Sequence, residues 1–463
     1  MQTKGQKPMT KIAIVLLSPQ YIRSWIDSGL VDDLISGGDV DCTIFAPKHI
    51  IERINDFKSV EKVLISSIEP SRSSTNLVAM SWVASRKRSS TFRFALTRTF
   101  RTDYRFFVFG NGLQSFWDQS KRNLKTICFN AFKKRLVILY SIKPIRVVRT
   151  MLYRRLEVQQ HLPKEIVSGG FHLMVIPCHA VDELITDYLS SARNIGLKSL
   201  VAIDNWDNLT SKSVFVVQPD YLTVMGKRCI EHAAEIHSID RSKVLPYGLP
   251  RFDTYRKDLP SREESEFDST VEILYAGFSL PHAEIAVVNS LWNGLKDRFP
   301  NQKIRLTYRP HPIPIPRIDG VTEVEAGIRT TEHGKLDRTN MPKMDEEYLS
   351  SMINADVVIG APTTMMFEAM LLERPCIIDG TSDQFHRTNA ASAIRNYTHM
   401  RDLLSVSNLP IANEADEILE HIGSLIEKKV QFVKYEMEHL YDKGDPTYSA
   451  QLKEFLTEMR NGN

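Results

Sequence analysis

The sequence predicts an α/β protein made of two doubly wound parallel sheets facing a cleft. Short runs rich in Val, Ile and Leu alternate with helical patterns of roughly 10–15 residues, which implies parallel strands joined by helical crossovers. The alternation stops at one polar, proline-containing stretch, residues 250–271, and restarts beyond it. With 463 residues the chain is long enough for two or three domains of about 100–200 residues each.

In the first half, Lys11–Leu17 reads as a strand that ends in the polar turn Ser18-Pro19-Gln20 and feeds a helix over Tyr21–Ile35. Asp41–Phe45 is a second strand, closed by Ala46-Pro47, and Lys62–Ser66 a third. Leu173–Pro177, Ser199–Ile203 and Tyr221–Met225 supply three more. Beyond the linker come strand Glu272–Ala276, helix Glu284–Phe299, strand Lys303–Tyr308 and helix Glu346–Asn354. Strand Val357–Ile359, helix Thr364–Leu372 and strand Cys376–Ile378 follow, and the tail from Ala415 to Met459 reads as helical and mixed in charge. The expected organisation is a first domain over residues 1–250 with an insertion at 71–165 and a linker at 251–270. A second domain covers 271–440, and a C-terminal helix, 441–463, crosses back toward the first.

Composition excludes several classes. A charged fraction of 25 % with 42 % apolar residues is ordinary for a globular chain, so wholesale disorder and collagen-like structure are out. No apolar run approaches the roughly 18–20 residues of a membrane span, and the run Ile12–Leu17 is too short for a signal peptide. Cys42, Cys128, Cys178, Cys229 and Cys376 are odd in number, widely spaced and without a CxxC pair, which reads as buried thiols in a cytoplasmic protein. Asp39-Val40-Asp41 lies before a strand rather than after one, so it reads as a turn; no metal site is expected.

The net charge of +3 hides an asymmetry. Between Ser71 and Glu165, 20 Lys and Arg face four acids, an excess of +16 that leaves −13 elsewhere. The basic residues interleave with aromatics, as in Arg86-Lys87-Arg88 before Phe92-Arg93-Phe94 and in Lys133-Lys134-Arg135 before Leu136–Tyr140. Such a mixture suits an anionic membrane surface or an anionic carbohydrate acceptor. It also occurs on solvated helical faces. No RNA-binding signature accompanies it, so no nucleic-acid partner is expected.

In open α/β sheets, ligands bind outside the carboxyl ends of the strands. Four features of the second half fall there. Gly277-Phe278-Ser279 leaves a strand with a glycine that lets backbone N–H groups approach a phosphate, and Ser279 adds a hydroxyl. In Tyr308-Arg309-Pro310-His311-Pro312, Arg309 offers a bidentate fork, and His311 is held between two prolines. Thr363 and Thr364 stand at a helix N-terminus, where free N–H groups and the dipole favour an anion. Glu368, one turn later, shares that face and could accept from a ribose diol.

The stretch Ala355–Met370, followed by Arg374-Pro375-Cys376-Ile377-Ile378, resembles the donor-binding half of GT-B glycosyltransferases, which pair two Rossmann-like domains. The His311-Pro312 pair resembles the HP motif of bacterial transferases that use CMP-sugars, and of CDP-glycerol glycerophosphotransferases. That resemblance covers 171–380 and implies that His311, Thr363 and Thr364 contact nucleotide phosphates; the usual Ser-Ser appears here as Thr-Thr. Val244–Asp253 resembles the interdomain exit of these enzymes.

Inverting transfer needs a general base. Asp204-Asn205-Trp206-Asp207-Asn208 gathers two carboxylates, two amides and an indole at the end of strand Ser199–Ile203. It resembles the Trp-His segment of the glycerophosphotransferases with Asp207 in the place of the histidine. Asp207 is the first candidate base, Asp204 the second and His179 the third; the same residues would also serve an Asx turn capping the next helix. The function expected is metal-independent, cofactor-free inverting transfer from a nucleotide-sugar donor, a CMP-linked 2-keto-3-deoxy acid by resemblance. The acceptor would be a glycan or lipid-linked glycan of bacterial surface-polysaccharide assembly, met by a protein peripheral to the inner membrane. CDP-glycerol glycerophosphotransfer, UDP-sugar 2-epimerisation and a non-catalytic membrane-associated assembly role are the alternatives.

Overall fold

A computed structural model of the chain describes residues 9–65, 69–71, 74, 91, 162–178, 183–211, 215–256, 270–278, 282–311, 323–331, 346–382 and 389–461. Among these, two all-parallel sheets form. The first holds β1 (Thr10–Val15), β2 (Val40–Ala46), β3 (Glu61–Leu64), β4 (Leu173–Cys178), β5 (Lys198–Ile203), β6 (Tyr221–Thr223) and β7 (Val244–Leu245). The second holds β8 (Val271–Ala276), β9 (Ile304–Arg309), β10 (Arg329–Thr330), β11 (Val357–Gly360), β12 (Cys376–Asp379) and β13 (Ile411–Ala412). Their orders are β3-β2-β1-β4-β5-β6-β7 and β10-β9-β8-β11-β12-β13. Each order reverses once, between β1 and β4 and between β8 and β11, and such switch points open the crevice that receives ligands.

The central strands read as unbroken apolar runs because helices cover both faces. Ile12, Ala13, Ile14 and Val15 of β1 and Leu173 to Ile176 of β4 are fully buried. The covering helices of the first half are α1 (Gln20–Ile22), α2 (Leu30–Ile35), α3 (Lys48–Arg53), α4 (Lys164–Ser168), α5 (Glu183–Asn194), α6 (Asn208–Ser211) and α7 (Lys227–His237). Those of the second are α8 (Glu284–Arg298), α9 (Glu346–Ile353), α10 (Thr364–Leu371), α11 (Ala390–Asn396), α12 (Thr398–Leu403) and α13 (Ala415–Glu427). The last helix, α14 (Tyr448–Arg460), returns to the first sheet. Tyr448 meets Trp25 edge to face at 6.2 Å and shares a 2.8 Å hydrogen bond with Thr223, and Phe455 packs on Tyr221 at 4.8 Å.

Three expectations need correction. The helix expected over 21–35 is broken: α1 passes into a π-helical turn, Arg23–Asp27, and Gly29 at φ 81° starts α2 afresh. Only glycine adopts that left-handed conformation without a Cβ penalty. The linker is partly structured, because Pro250–Arg256 forms a 3-10 helix whose Arg251, Phe252 and Tyr255 are buried. Phe252 packs edge to face on Tyr441 at 5.2 Å, and this apolar anchoring overrides the polar composition. The tail is not one helix: α13 stops at Glu427, Lys429 turns left-handed at φ 50°, and 430–447 runs without helix until Tyr448. The Tyr435 hydroxyl donates to the Arg374 carbonyl and accepts the Cys376 N–H, so this segment is spent covering the second sheet.

Cys42, Cys178, Cys229 and Cys376 are buried and outside any disulfide. Burial pushes the Cys42 and Cys376 thiols up to about 12, so both stay protonated. Among the described residues no helix is long and apolar enough to cross a membrane.

Candidate active site

The parallel strands of each sheet end on the same side. In the second sheet β9, β8 and β11 are neighbours, so Arg309, Gly277 and Gly360 share one edge. Gly277 donates its N–H to the Arg309 carbonyl at 2.8 Å. A Cβ on Gly277 would lie 2.7 Å from the His311 nitrogen and 3.0 Å from the Arg309 carbonyl, so only glycine lets the two strand exits close on each other. Arg309 and His311 are both half-buried.

Across the switch point, β11 runs through Ala361-Pro362-Thr363 into α10. Thr363 occupies the N-cap position with extended backbone (φ −133°, ψ 171°), yet its side chain makes no capping hydrogen bond. The ordinary structural use of a threonine there is therefore absent. The Thr364 hydroxyl donates to Asn205 Oδ1 at 2.9 Å, an oxygen that also accepts the Trp206 N–H at 3.0 Å. Residues read as donor-binding and residues read as base-bearing thus meet directly. Trp206 is buried between the two halves, 4.8 Å from the Phe367 ring and 4.7 Å from the His399 ring. His399 Nδ1 shares a 2.6 Å hydrogen bond with the Thr210 hydroxyl.

The two acids after β5 differ in surroundings. Asp207 is half-buried, accepts the Ser211 hydroxyl at 2.8 Å, and offers its carbonyl to the Thr210 and Ser211 N–H groups at 3.0 and 2.9 Å. Its backbone carbonyl thus starts α6 while part of the residue faces solvent. Asp204 is buried. Its carboxylate accepts the Ser24 hydroxyl at 2.8 Å and stands 3.4 Å from Arg251 Nη1, which also donates to the Asp204 carbonyl at 2.6 Å.

Glu368 departs from the expected open position beside a ribose. It is 2 % exposed, accepts the Tyr255 hydroxyl at 2.8 Å, and lies 3.5 Å from Arg251 Nε and 3.8 Å from Arg23 Nη2. Arg251 therefore joins Asp204 of the first half to Glu368 of the second. Sequence reasoning placed Arg251 in an exit motif and missed this bridge; an arginine among Pro, Gly and Phe was the one available signal.

Outside this cluster, Asp379 at the end of β12 is fully buried and accepts the Tyr275 hydroxyl at 2.5 Å and the Thr381 N–H at 2.9 Å, with His282 at 3.6 Å. Burial alone would raise its carboxyl, but His282, Tyr275 and the Thr381 N–H hold it below the usual carboxylate range. Among the described residues no group of three His, Cys, Asp or Glu side chains could hold a metal ion. Ser279, His179, Arg86, Lys87, Arg88, Lys133, Lys134 and Arg135 lie outside the described residues.

No family model matches the chain, and no curated protein matches it. Solved structures do. A candidate UDP-N-acetylglucosamine 2-epimerase from Listeria monocytogenes aligns over 98 % of both chains with a TM-score of 0.54 at 9 % identity. A second UDP-N-acetylglucosamine 2-epimerase aligns over 99 % of this chain and 98 % of its own, with a TM-score of 0.52 at 9 % identity. The UDP-GlcNAc 2-epimerase of Neisseria meningitidis, solved with UDP-GlcNAc, covers 98 % of this chain and 100 % of its own at a TM-score of 0.50 and 10 % identity. The fold is GT-B. At these identities the likeness establishes two facing Rossmann-like sheets and leaves the chemistry to the residues.

Proposed function

We propose that the chain is a nucleotide-sugar-dependent enzyme of the GT-B fold, an inverting glycosyltransferase acting on a glycan or lipid-linked glycan acceptor. One observation supports it above the others: the 2.9 Å hydrogen bond between Thr364, at the head of the donor-side helix, and Asn205, beside the candidate base. In this reading Arg309, His311, Thr363 and Thr364 receive the leaving phosphate, helped by the positive end of α10. Asp207 takes the proton of the acceptor hydroxyl, since of the two acids after β5 it is the one with solvent access. Asp204 and Glu368 serve the junction between the halves. The donor we favour is a CMP-linked sugar acid, on the resemblance of His311-Pro312 to the HP motif. The basic segment 71–165 would meet the acceptor or an anionic membrane, which co-sedimentation with anionic vesicles at low and high salt tests.

A second reading, 2-epimerisation of a UDP-sugar, is supported by the similarity to UDP-GlcNAc 2-epimerase structures. One experiment separates the two. The purified protein is incubated with CMP-, UDP-, GDP- and CDP-linked sugars, and products are read by mass spectrometry and NMR. Slow release of nucleotide from one donor, lost in His311→Ala, supports the transferase. A 2-epimer of a UDP-sugar formed without net release supports the epimerase, and inertness toward every donor overturns both.

A further inference from the structure

The two turns assigned to the phosphate are fastened to one buried carboxylate that belongs to neither. Glu284 is the first residue of α8 and is 8 % exposed. Its Oε1 accepts the backbone N–H of Phe278 at 2.8 Å, and its Oε2 accepts the hydroxyl of Tyr308 at 2.7 Å. Phe278 directly follows Gly277, and Tyr308 directly precedes Arg309. Phe278 is fully buried and Tyr308 is 2 % exposed, so both bonds are shielded from water.

The fit is close. A Cβ on Gly277 would stand 2.7 Å from Glu284 Oε2, as near as it would come to the His311 nitrogen. Burying a carboxylate is costly unless its oxygens are satisfied, and an apolar side chain would fill this place at less cost. Both oxygens here are bonded to the two turns. The bond to Phe278 also takes that N–H away from an incoming phosphate.

We infer that Glu284 is a positioning residue of the donor site, which holds the Gly277–Phe278 turn and the Tyr308–His311 segment at the spacing that receives a nucleotide phosphate; the inference rests on the nucleotide-sugar reading above. Its test does not need the full reaction. CMP and UDP are titrated calorimetrically into the wild-type protein and into Glu284→Ala, Glu284→Gln and Tyr308→Phe, with a melting curve for each. Glu284→Ala loses about tenfold or more in nucleotide affinity. Glu284→Gln recovers most of it, because the amide oxygen can accept the Phe278 N–H and the amide nitrogen can donate to the Tyr308 oxygen. Tyr308→Phe, which keeps the Phe278 bond, loses about threefold. Wild-type affinity in folded Glu284→Ala overturns the inference whatever its melting temperature. If that variant does not fold, wild-type affinity in Tyr308→Phe overturns it. Absence of nucleotide binding in the wild-type protein overturns the site and the inference together, whereas binding that is equal in all four proteins overturns the inference alone.

Discussion

Asp204 and Asp207 leave the end of β5 within one turn of each other and enter opposite environments. Asp204 sinks into a junction of Ser24, Arg251 and, through Arg251, Glu368. Asp207 stays at the rim, held by Ser211 and partly open to solvent. Two acids of the same type are thus divided between joining the halves and facing solvent. Proton transfer requires access to the reacting hydroxyl, while a buried ion pair requires the reverse. What decides is where the polypeptide places each carboxylate.

The contrast breaks most visibly at Arg251. Arg251→Met leaves Asp204 and Glu368 buried without their shared cation, a loss of about 3–5 kcal/mol. Thermal unfolding followed by circular dichroism checks this, and an unchanged transition would mean that the junction carries no stability. Asp207→Asn keeps the Ser211 contact and the fold but lowers turnover by about a hundredfold or more, with nucleotide binding unaffected. Undiminished turnover in that variant returns the role of base to another residue. Thr364→Val removes the hydroxyl shared with Asn205 and weakens nucleotide affinity by about tenfold, read by calorimetry; equal affinity would detach Thr364 from the donor.

The smallest effect is a pH dependence at another contact between the halves. His232 and Arg228 of α7 approach Asp402 of α12 at 3.1 and 2.7 Å. Burial opposes protonation of His232, but Asp402 and Cys229 outweigh it and raise its pKa from 6.5 to about 9. The folded-state value lies above the unfolded one, so the stabilisation is complete below pH 6.5 and is lost as pH rises through about 9. The difference in melting temperature between wild type and His232→Gln should therefore shrink between pH 6.5 and 10. A constant difference would remove His232 from the charge balance of this contact.

Ten of the thirteen described strands were legible because each is a short apolar run at a regular interval, with bounds within one or two residues; β7, β10 and β13, two residues each, are too short to leave such a run. The strand-end motifs were legible for a related reason: glycine, His-Pro and Thr-Thr are punctuation whose chemistry is local. The junction was not. Tyr255 and Glu368 are 113 positions apart, and Arg251 and Asp204 are 47 apart, so no spacing rule connects them. Glu368 illustrates the failure. Its place on α10 was readable, but the partners that bury it come from the other half. The π-helical turn at Arg23–Asp27 was equally hidden, since apolar periodicity continues through it.

The return of α14 to the first sheet has a consequence for biosynthesis. Strands β1 to β7 emerge from the ribosome first, yet Trp25, Tyr221 and Thr223 wait for Tyr448 and Phe455, which are translated more than two hundred residues after the last of those strands. The first half cannot complete its packing during its own synthesis. It must hold an exposed apolar flank while the second half is made and folded, and the last helix then closes it. Premature termination before residue 448 would leave a chain whose defect lies at its beginning, with Trp25 and Tyr221 open to aggregation or to chaperones.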